Sequence, residues 1–258
     1  MSALDKWSNG SSALTPERRL MNEVLAKLGR DKSTTTETRR GGKREGRLIF
    51  ILDATASRTP SLKQARKAMA AMFDAIKQIG SISVKLIYFR ADECKAGRWE
   101  NDPAAVSNAI QKLSCEAGGT KIARALRCVL DQEREPVSGV VYIGDDFEDD
   151  EDEVARLATK LGEKHTPIFV FHEAYDHRSS ASLTRFKQMA TASGGVYLQF
   201  HADSADELRE LLATVAAFGA AGAAGVEQME PATTPQAQQL QTRFLLLGRG
   251  DGDLDQTR

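Results

Sequence analysis

Short apolar runs alternate with amphipathic segments over the central part of the chain, between about residues 48 and 218. Each run holds four to six residues, mostly β-branched or aromatic. Runs of this kind are typical of strands buried on both faces of a parallel sheet. We therefore predict strands at 48–52, 84–89, 140–143, 168–171 and 196–200, with a short edge strand at 94–99.

The segments between these runs carry apolar residues at three- and four-residue steps, the spacing of an amphipathic helix. One stripe follows Pro60, and we interpret it as core rather than a cofactor-binding surface: Leu62, Ala65, Met69, Met72, Phe73 and Ile76. Further helices are predicted at 103–113, 121–132, 152–161, 183–193 and 205–217. The alternation predicts a doubly wound three-layer α/β/α Rossmann-like sheet over residues 47–218, mostly parallel with a short edge strand.

The two ends of the chain differ from this central part in composition. Thr15 and Pro16 are typical of a helix start, and an apolar stripe extends the predicted helix to Leu28. We interpret residues 1–46 as this helix followed by a flexible basic linker. From residue 219 the chain is rich in Ala and Gly, then in Gln, Pro and Thr, so residues 219–258 are predicted to form a disordered tail.

Composition and charge narrow the classes of function. The chain has 258 residues, 41% of them hydrophobic, which excludes wholesale disorder. Because 35 Lys and Arg nearly balance 36 Asp and Glu, no overall field favours a nucleic acid or an acidic membrane, and we expect neither as a partner. No apolar leader opens the chain, so we expect a cytoplasmic protein, and three cysteines without C-x-x-C spacing predict reduced, buried thiols.

Oxygen-bearing side chains follow three predicted elements. The first strand leads into Asp53, Thr55 and Ser57, whose alternate positions allow all three side chains to point to one side. Thr120 follows two glycines at the start of a predicted helix, and Asp145 comes just after the strand at 140–143. In doubly wound sheets, ligands bind at the carboxyl ends of the strands where the strand order reverses. If the strands before Asp53 and Asp145 are neighbours there, the two carboxylates face each other and require a counter-cation.

Carboxylate and hydroxyl oxygens without His or thiolate form a hard ligand set, suited to Mg²⁺ or Ca²⁺ rather than zinc or copper. Two carboxylates balance a divalent charge. Three hydroxyls complete most of an octahedron and leave one position open.

The pattern Asp53-x-Thr55-x-Ser57, followed by Thr120 and Asp145, resembles the metal-ion-dependent adhesion site (MIDAS) of von Willebrand factor type A (VWA) domains. The similarity covers about residues 47–217. Two positions differ from the family pattern: Thr55 stands where the first Ser usually is, and Asp146 stands where a Gly commonly follows the third-motif Asp. Thr55 keeps a hydroxyl, whereas Asp146 adds a negative charge beside the site.

The resemblance implies a binding module rather than an enzyme. Domains of this family hold Mg²⁺ or a similar ion such as Mn²⁺ or Ca²⁺, and an Asp or Glu of a protein partner fills the open coordination position. Relatives with cytoplasmic, bacterial-looking sequences often work with ring ATPases or in multi-protein assemblies, so a partner of that kind is implied.

Other interpretations of these residues stay open at this level. Taken singly, Asp53, Thr120 and Asp145 are each explained as loop or helix caps. An enzymatic alternative is a Mg²⁺-dependent phosphohydrolase with Asp53 as nucleophile, which resembles haloacid-dehalogenase-like enzymes but has Thr55 where their general acid stands. A third alternative is a domain that binds no ion.

Residues 145–153 are acidic at eight of nine positions, interrupted only by Phe147. Acidic residues in the first turn of a helix explain 149–153, because the amino-terminal end of a helix carries a partial positive charge. The alternative is recruitment of a basic partner or a further cation. The four histidines show no zinc-site spacing and are interpreted as surface or core residues.

Overall fold

Six strands form one sheet in the computed structural model of the chain, in the order β3-β2-β1-β4-β5-β6. They are β1 Glu45–Asp53, β2 Ser81–Arg90, β3 Glu93–Glu100, β4 Gly139–Gly144, β5 Ile168–Glu173 and β6 Val196–Phe200. The structure describes residues 45–55, 68, 72, 80–90, 92–116, 118–133, 135–173, 180–200 and 205–249. The predicted amino-terminal helix and basic linker lie outside these residues almost entirely.

The sheet is parallel except at one edge. β1 pairs in parallel with both β2 and β4, and β4, β5 and β6 continue the parallel order. Only β3 runs antiparallel, against β2, and this confirms the predicted short edge strand. The chain builds outward from β1 in one direction and from β4 in the other, so the strand order reverses between them.

Six helices lie within the described ranges, and the predicted positions agree with them within a few residues up to residue 205. They are α1 Pro103–Gln111, α2 Ile122–Gln132, α3 Glu151–Glu163, α4 Ser180–Ala192, α5 Ala205–Glu227 and α6 Pro235–Arg249. Local sequence sets some starts: Asp102 caps α1 by accepting the Ala104 N–H at 2.9 Å, with Pro103 in the first turn. Of the predicted helix after Pro60, Ala68 and Met72 are described as helical and buried, and the rest of its stripe lies outside the described residues.

Side chains of β1 alternate between two cores, one on each face of the sheet. Leu48, Phe50 and Leu52 pack with α1, α5 and α6, whereas Ile49 and Ile51 pack with α2, α3 and α4. All five are at most 1% exposed. Each such side chain contributes about 1.5–3 kcal/mol through removal of apolar area from water. This two-sided burial confirms the three-layer α/β/α fold.

The predicted disordered tail is wrong for residues 219–249. α5 continues to Glu227, and α6 buries Ala237, Leu240 and Phe244 at helical spacing in the core shared with β1. The small Ala and Gly residues allow α5 to pack closely on β1. A Cβ at Gly46 would lie only 2.7 Å from the Ala220 Cα, which is too close for a real side chain. Residues 250–258 lie outside the described residues.

The helix α5 bends near its carboxyl end. Gly222 has φ of 63° there, in the left-handed region that glycine adopts at little cost. In the described part of the chain, α5 is the one helix long and apolar enough to cross a membrane by length and composition, and 56% of its most apolar window is buried in the protein. A helix at the centre of a protein core passes the same test.

The three cysteines are free, as predicted, but half-buried rather than buried. Burial, with a smaller contribution from the neighbouring Cys128, raises the pKa of Cys94 to about 11. Its thiolate form is therefore scarce at neutral pH, which makes Cys94 a weak nucleophile.

Glu210 on α5 holds the segment that precedes α6. Its carboxylate accepts hydrogen bonds from the backbone N–H and hydroxyl groups of Thr233 and Thr234, at 2.6 to 3.1 Å. Partial burial acts to raise the pKa of Glu210, but the hydrogen bonds from the two threonines outweigh it and lower the pKa to about 2. The ionised form is thus the one that fixes the turn between α5 and α6.

We expect Glu210→Gln to lower the free energy of unfolding by about 1 kcal/mol at pH 7, the usual worth of a helix-capping carboxylate. Because the folded-state pKa is depressed from 4.5 to about 2, this stabilisation is fully present above pH 4.5 and is lost as the pH falls towards 2. Urea unfolding of both proteins at pH 7, 5, 4 and 3 measures the difference, with exposed Glu227→Gln as control. A difference that stays constant over this range would contradict the assignment.

Candidate metal centre

Asp53 and Asp145 lie at the ends of adjacent parallel strands, where the strand order reverses. The register of β1 and β4 pairs Leu52 with Ile143, so Asp53 follows this pair by one residue and Asp145 by two. Neighbouring strands are about 4.8 Å apart. Both residues are buried, with 1% and 2% of their surface exposed. The structure therefore brings the two predicted carboxylates to one edge of the sheet.

The first loop turns immediately after Asp53. The Thr55 N–H donates to Asp53 Oδ1 at 2.9 Å, and the Ala54 N–H donates to the Phe89 carbonyl at 3.0 Å, which ties the loop to the end of β2. Thr55 is only 7% exposed. Ser57, the third predicted ligand of this loop, lies outside the described residues.

The loop that carries Thr120 is hydrogen-bonded to the first loop. The Glu116 N–H donates to the Ala54 carbonyl at 3.2 Å, and Glu116 forms a parallel bridge with Thr55. Arg90, at the end of β2, pairs with Glu116 at 2.7 Å and holds the same loop from the other side. The second predicted motif is thereby attached to the first.

Thr120 is also joined to the loop after β4. Its N–H donates to Glu148 Oε2 at 3.1 Å, and its hydroxyl accepts the Glu148 N–H at 2.9 Å. The N-cap of α2 is Lys121, whose side chain makes no capping bond, so the interpretation of Thr120 as N-cap is wrong. A hydroxyl oxygen has two lone pairs, and the N–H of Glu148 uses one. The oxygen retains capacity for a second interaction.

Asp146, the residue that departs from the family pattern, is engaged away from Asp53. Its Oδ1 accepts the Phe147 N–H at 2.8 Å and the hydroxyl of Ser182 on α4. Ser182 is 3% exposed. The additional negative charge is thus used to bind the loop to α4.

Most of the remaining acidic residues of 145–153 accept hydrogen bonds from backbone N–H groups or form ion pairs. Asp149 Oδ2 accepts the Ala123 N–H at 2.9 Å and caps α2 from outside that helix, and Asp150 caps α3 through the Glu153 N–H at 2.8 Å. Glu151 pairs with Arg185 at 3.0 Å. The helix-start interpretation is therefore correct for 150–153, whereas 148 and 149 stabilise a different helix.

Phe147, the one apolar residue of the acidic segment, anchors it in the core. It is 3% exposed and packs edge-on against Phe186 of α4, with ring centroids 5.4 Å apart. The loop is consequently held by an apolar contact as well as by hydrogen bonds.

Sequence analysis missed His172, which lies beside the site. Its Nε2 is 3.1 Å from the Asp145 carbonyl, and its Nδ1 is 2.7 Å from the Tyr197 hydroxyl. Burial raises the pKa of Tyr197 to about 12, so the phenol stays protonated at neutral pH. The sequence does indicate this position: His172 directly follows the predicted strand 168–171, so it is expected at the same sheet edge as Asp53 and Asp145.

The donor set is compatible with a hard divalent cation. Two buried carboxylates supply two negative charges, and the threonine hydroxyls are neutral oxygen donors. Among the described residues, no group of three or more His, Cys, Asp or Glu side chains is arranged to hold a metal ion. A cation here would therefore depend on hydroxyl ligands and on an oxygen from outside the chain.

We expect Glu148→Ala and Asp149→Ala each to lower the free energy of unfolding by about 1 kcal/mol, because each removes an acceptor from an N–H group at the start of α2. Urea unfolding measures the loss. Asp152→Ala, an exposed acidic residue in the first turn of α3, is the control and should change stability by less than about 0.5 kcal/mol. Equal effects in all three variants would contradict the capping of α2 by this loop.

Comparison with known proteins gives structural similarity alone. No family model matches the sequence, and no curated protein sequence matches it. Solved structures do match, at low identity. An aerotolerance-related membrane protein from Bacteroides fragilis is 16% identical, with a TM-score of 0.51 over 65% of this chain and 96% of that one.

Two further matches carry names that bear on the fold. The SpRpn10 VWA domain is 12% identical, with a TM-score of 0.50 over 67% of this chain and 94% of that one. Proximal thread matrix protein 1 from the mussel byssus, with a zinc-occupied MIDAS motif, is 16% identical, with a TM-score of 0.53 over 66% of this chain and 45% of that one. Together with the sheet order and the three layers, these matches show that the chain has the VWA fold.

Proposed function

We propose that this chain is a protein-binding adaptor whose VWA domain holds a divalent cation and, through it, an acidic side chain of a partner. The observation that carries the proposal is the convergence of three loops at one sheet edge. Asp53 and Asp145 are buried at the ends of adjacent strands, Thr120 is bonded to the loop after β4, and its own loop is bonded to the first loop through Glu116. The proposal keeps the cytoplasmic location that the sequence predicts.

The cation would be held by Asp53, Thr55, Ser57, Thr120 and Asp145. When bound, it would offer a Lewis-acidic position to an Asp or Glu carboxylate of the partner. The two carboxylates of the chain bring the site close to neutrality, so a third carboxylate is not repelled by a net negative charge. Asp146 keeps its negative charge beside the site, and hydrogen bonds from the Ser182 hydroxyl and the Phe147 N–H hold its Oδ1.

Mg²⁺ is the ion that fits the oxygen donors best, with Mn²⁺ and Ca²⁺ as alternatives. The zinc-occupied MIDAS of the mussel protein supports a divalent ion at a site of this type and adds zinc to the ions to be tested. The implied partner is a protein, for which an assembly or a ring ATPase is the class suggested by the family resemblance.

Asp53 serves in this proposal as a ligand rather than as a nucleophile. The residue two positions on is Thr55, whose N–H binds Asp53 and whose hydroxyl is a poor proton donor compared with a carboxylic acid. We therefore propose that the chain is not an enzyme. Hydrolysis of a chromogenic phosphate ester by the wild type, abolished in Asp53→Asn, would contradict this.

Addition of Mg²⁺ or Mn²⁺ at about one hundred times its Kd should stabilise the protein by about 2.7 kcal/mol. For a domain of this size that corresponds to a rise in Tm of about 5–10 °C. Asp53→Ala and Asp145→Ala should abolish the rise, whereas exposed Asp131→Ala should retain it.

Differential scanning fluorimetry with and without a chelator measures these shifts. If the ion raises the Tm of Asp145→Ala and of the wild type equally, the ion does not bind at Asp145 and the proposal is wrong.

The partner-binding half of the proposal has its own test. Proteins retained by the immobilised chain in millimolar Mg²⁺ should be released by chelator and should not be retained by Asp145→Ala, because both treatments remove the cation. Retention that resists both would mean that the partner binds another surface of the domain.

A further inference from the structure

His172 links the loop after β4 to the strands β5 and β6. It lies on β5, is 6% exposed, and reaches the backbone of Asp145 on one side and the Tyr197 hydroxyl of β6 on the other. Its ring packs against Phe186, with centroids 4.9 Å apart. A buried polar ring with these contacts has a defined orientation.

The groups that form hydrogen bonds with His172 also define which of its ring nitrogens carries the proton. The Asp145 carbonyl can only accept, so Nε2 donates its hydrogen to it. The neutral ring then accepts at Nδ1, and the Tyr197 O–H supplies that bond. The Asp145 carbonyl therefore selects the tautomer in which Nε2 carries the hydrogen, and the Tyr197 hydroxyl holds the other ring nitrogen.

The backbone of Asp145 is the point where this arrangement meets the proposed ligands. The Asp145 carboxylate extends from the same residue whose carbonyl His172 holds, and the next residues are fixed by Ser182 and Phe186 through Asp146 and Phe147. These anchors come from α4, whereas His172 anchors the loop from the sheet. The His172 bond holds the Asp145 carbonyl and so restrains the backbone from which the carboxylate extends.

We propose that His172 is a positioning residue for the metal ligand Asp145, with Tyr197 holding the other ring nitrogen of His172 by a hydrogen bond. The inference rests on the proposed function, since it assigns these residues a role at the same site. Outer groups that orient a metal ligand typically change metal affinity by 10–100-fold when they are removed. Neither residue contacts the partner or the ion in this role.

The variant His172→Phe keeps a ring against Phe186 and removes the N–H donor. We expect its Kd for Mn²⁺, measured by calorimetric titration of the full chain, to rise 10–100-fold. His172→Gln restores an N–H donor and should recover most of the affinity. Tyr197→Phe removes the hydrogen bond to His172 Nδ1, so the ring is held less firmly and the Kd should rise several-fold.

The control removes a comparable buried hydrogen bond at the opposite end of β5. The Ser193 hydroxyl accepts the Ile168 N–H at 2.9 Å and donates to the Ala190 carbonyl at 2.8 Å, and Ser193 is 2% exposed. Ser193→Ala should lower stability while leaving the Kd for Mn²⁺ unchanged. A purely structural role for His172 would make His172→Phe behave in the same way as this control.

A second readout does not use the metal. In the metal-free protein, His172→Phe should speed hydrogen exchange at the amides of Phe147 and Glu148, and Ser193→Ala should not. If His172→Phe does not fold, Tyr197→Phe decides: a raised Kd supports the role and an unchanged Kd overturns it.

The outcomes separate the two proposals. A wild type that binds Mn²⁺ with the same Kd as His172→Phe overturns the positioning role and leaves the proposed function intact. A wild type that binds no divalent ion overturns both.

Discussion

The parallel pairing of β1 with β4 is the constraint on which the rest of the structure depends. From Leu48 opposite Gly139 to Leu52 opposite Ile143, it sets two strands side by side that are far apart in sequence. The chain builds outward from them in opposite directions, and ligand sites of doubly wound sheets lie where the strand order reverses in this way. The same pairing brings Asp53 and Asp145, both buried, to the ends of adjacent strands.

The contacts that shape this site are also contacts that hold the fold together. Asp149 caps α2 from the loop after β4, Glu148 binds Thr120 just before that helix, and Asp146 and Phe147 fasten the loop to α4. Thr120 thereby takes its position from the protein rather than from an ion. This degree of preorganisation favours binding, because less conformational entropy is lost when a ligand arrives.

The carboxyl-terminal part of the chain shows how composition alone misleads. Ala and Gly resemble a flexible segment in sequence, yet here they let α5 approach β1 to van der Waals distance. α6 then covers the same core through Phe244, which stacks on Phe218 at 4.1 Å. Single-residue composition carries no information on which surface a small side chain will meet, so the error could not be avoided at that level.

The sequence by itself determined the order of strands and helices, the short edge strand, and the choice of Asp53, Thr120 and Asp145, because hydrophobic period and residues at strand ends are local properties. Only the tertiary structure decided that β1 and β4 are neighbours, that Asp146 turns to Ser182, and that His172 reaches the Asp145 carbonyl. These are contacts between residues from 27 to 91 positions apart, like the bond from Arg47 to Ser138. They form only when packing of both cores fixes the strand order, and no local pattern encodes that choice.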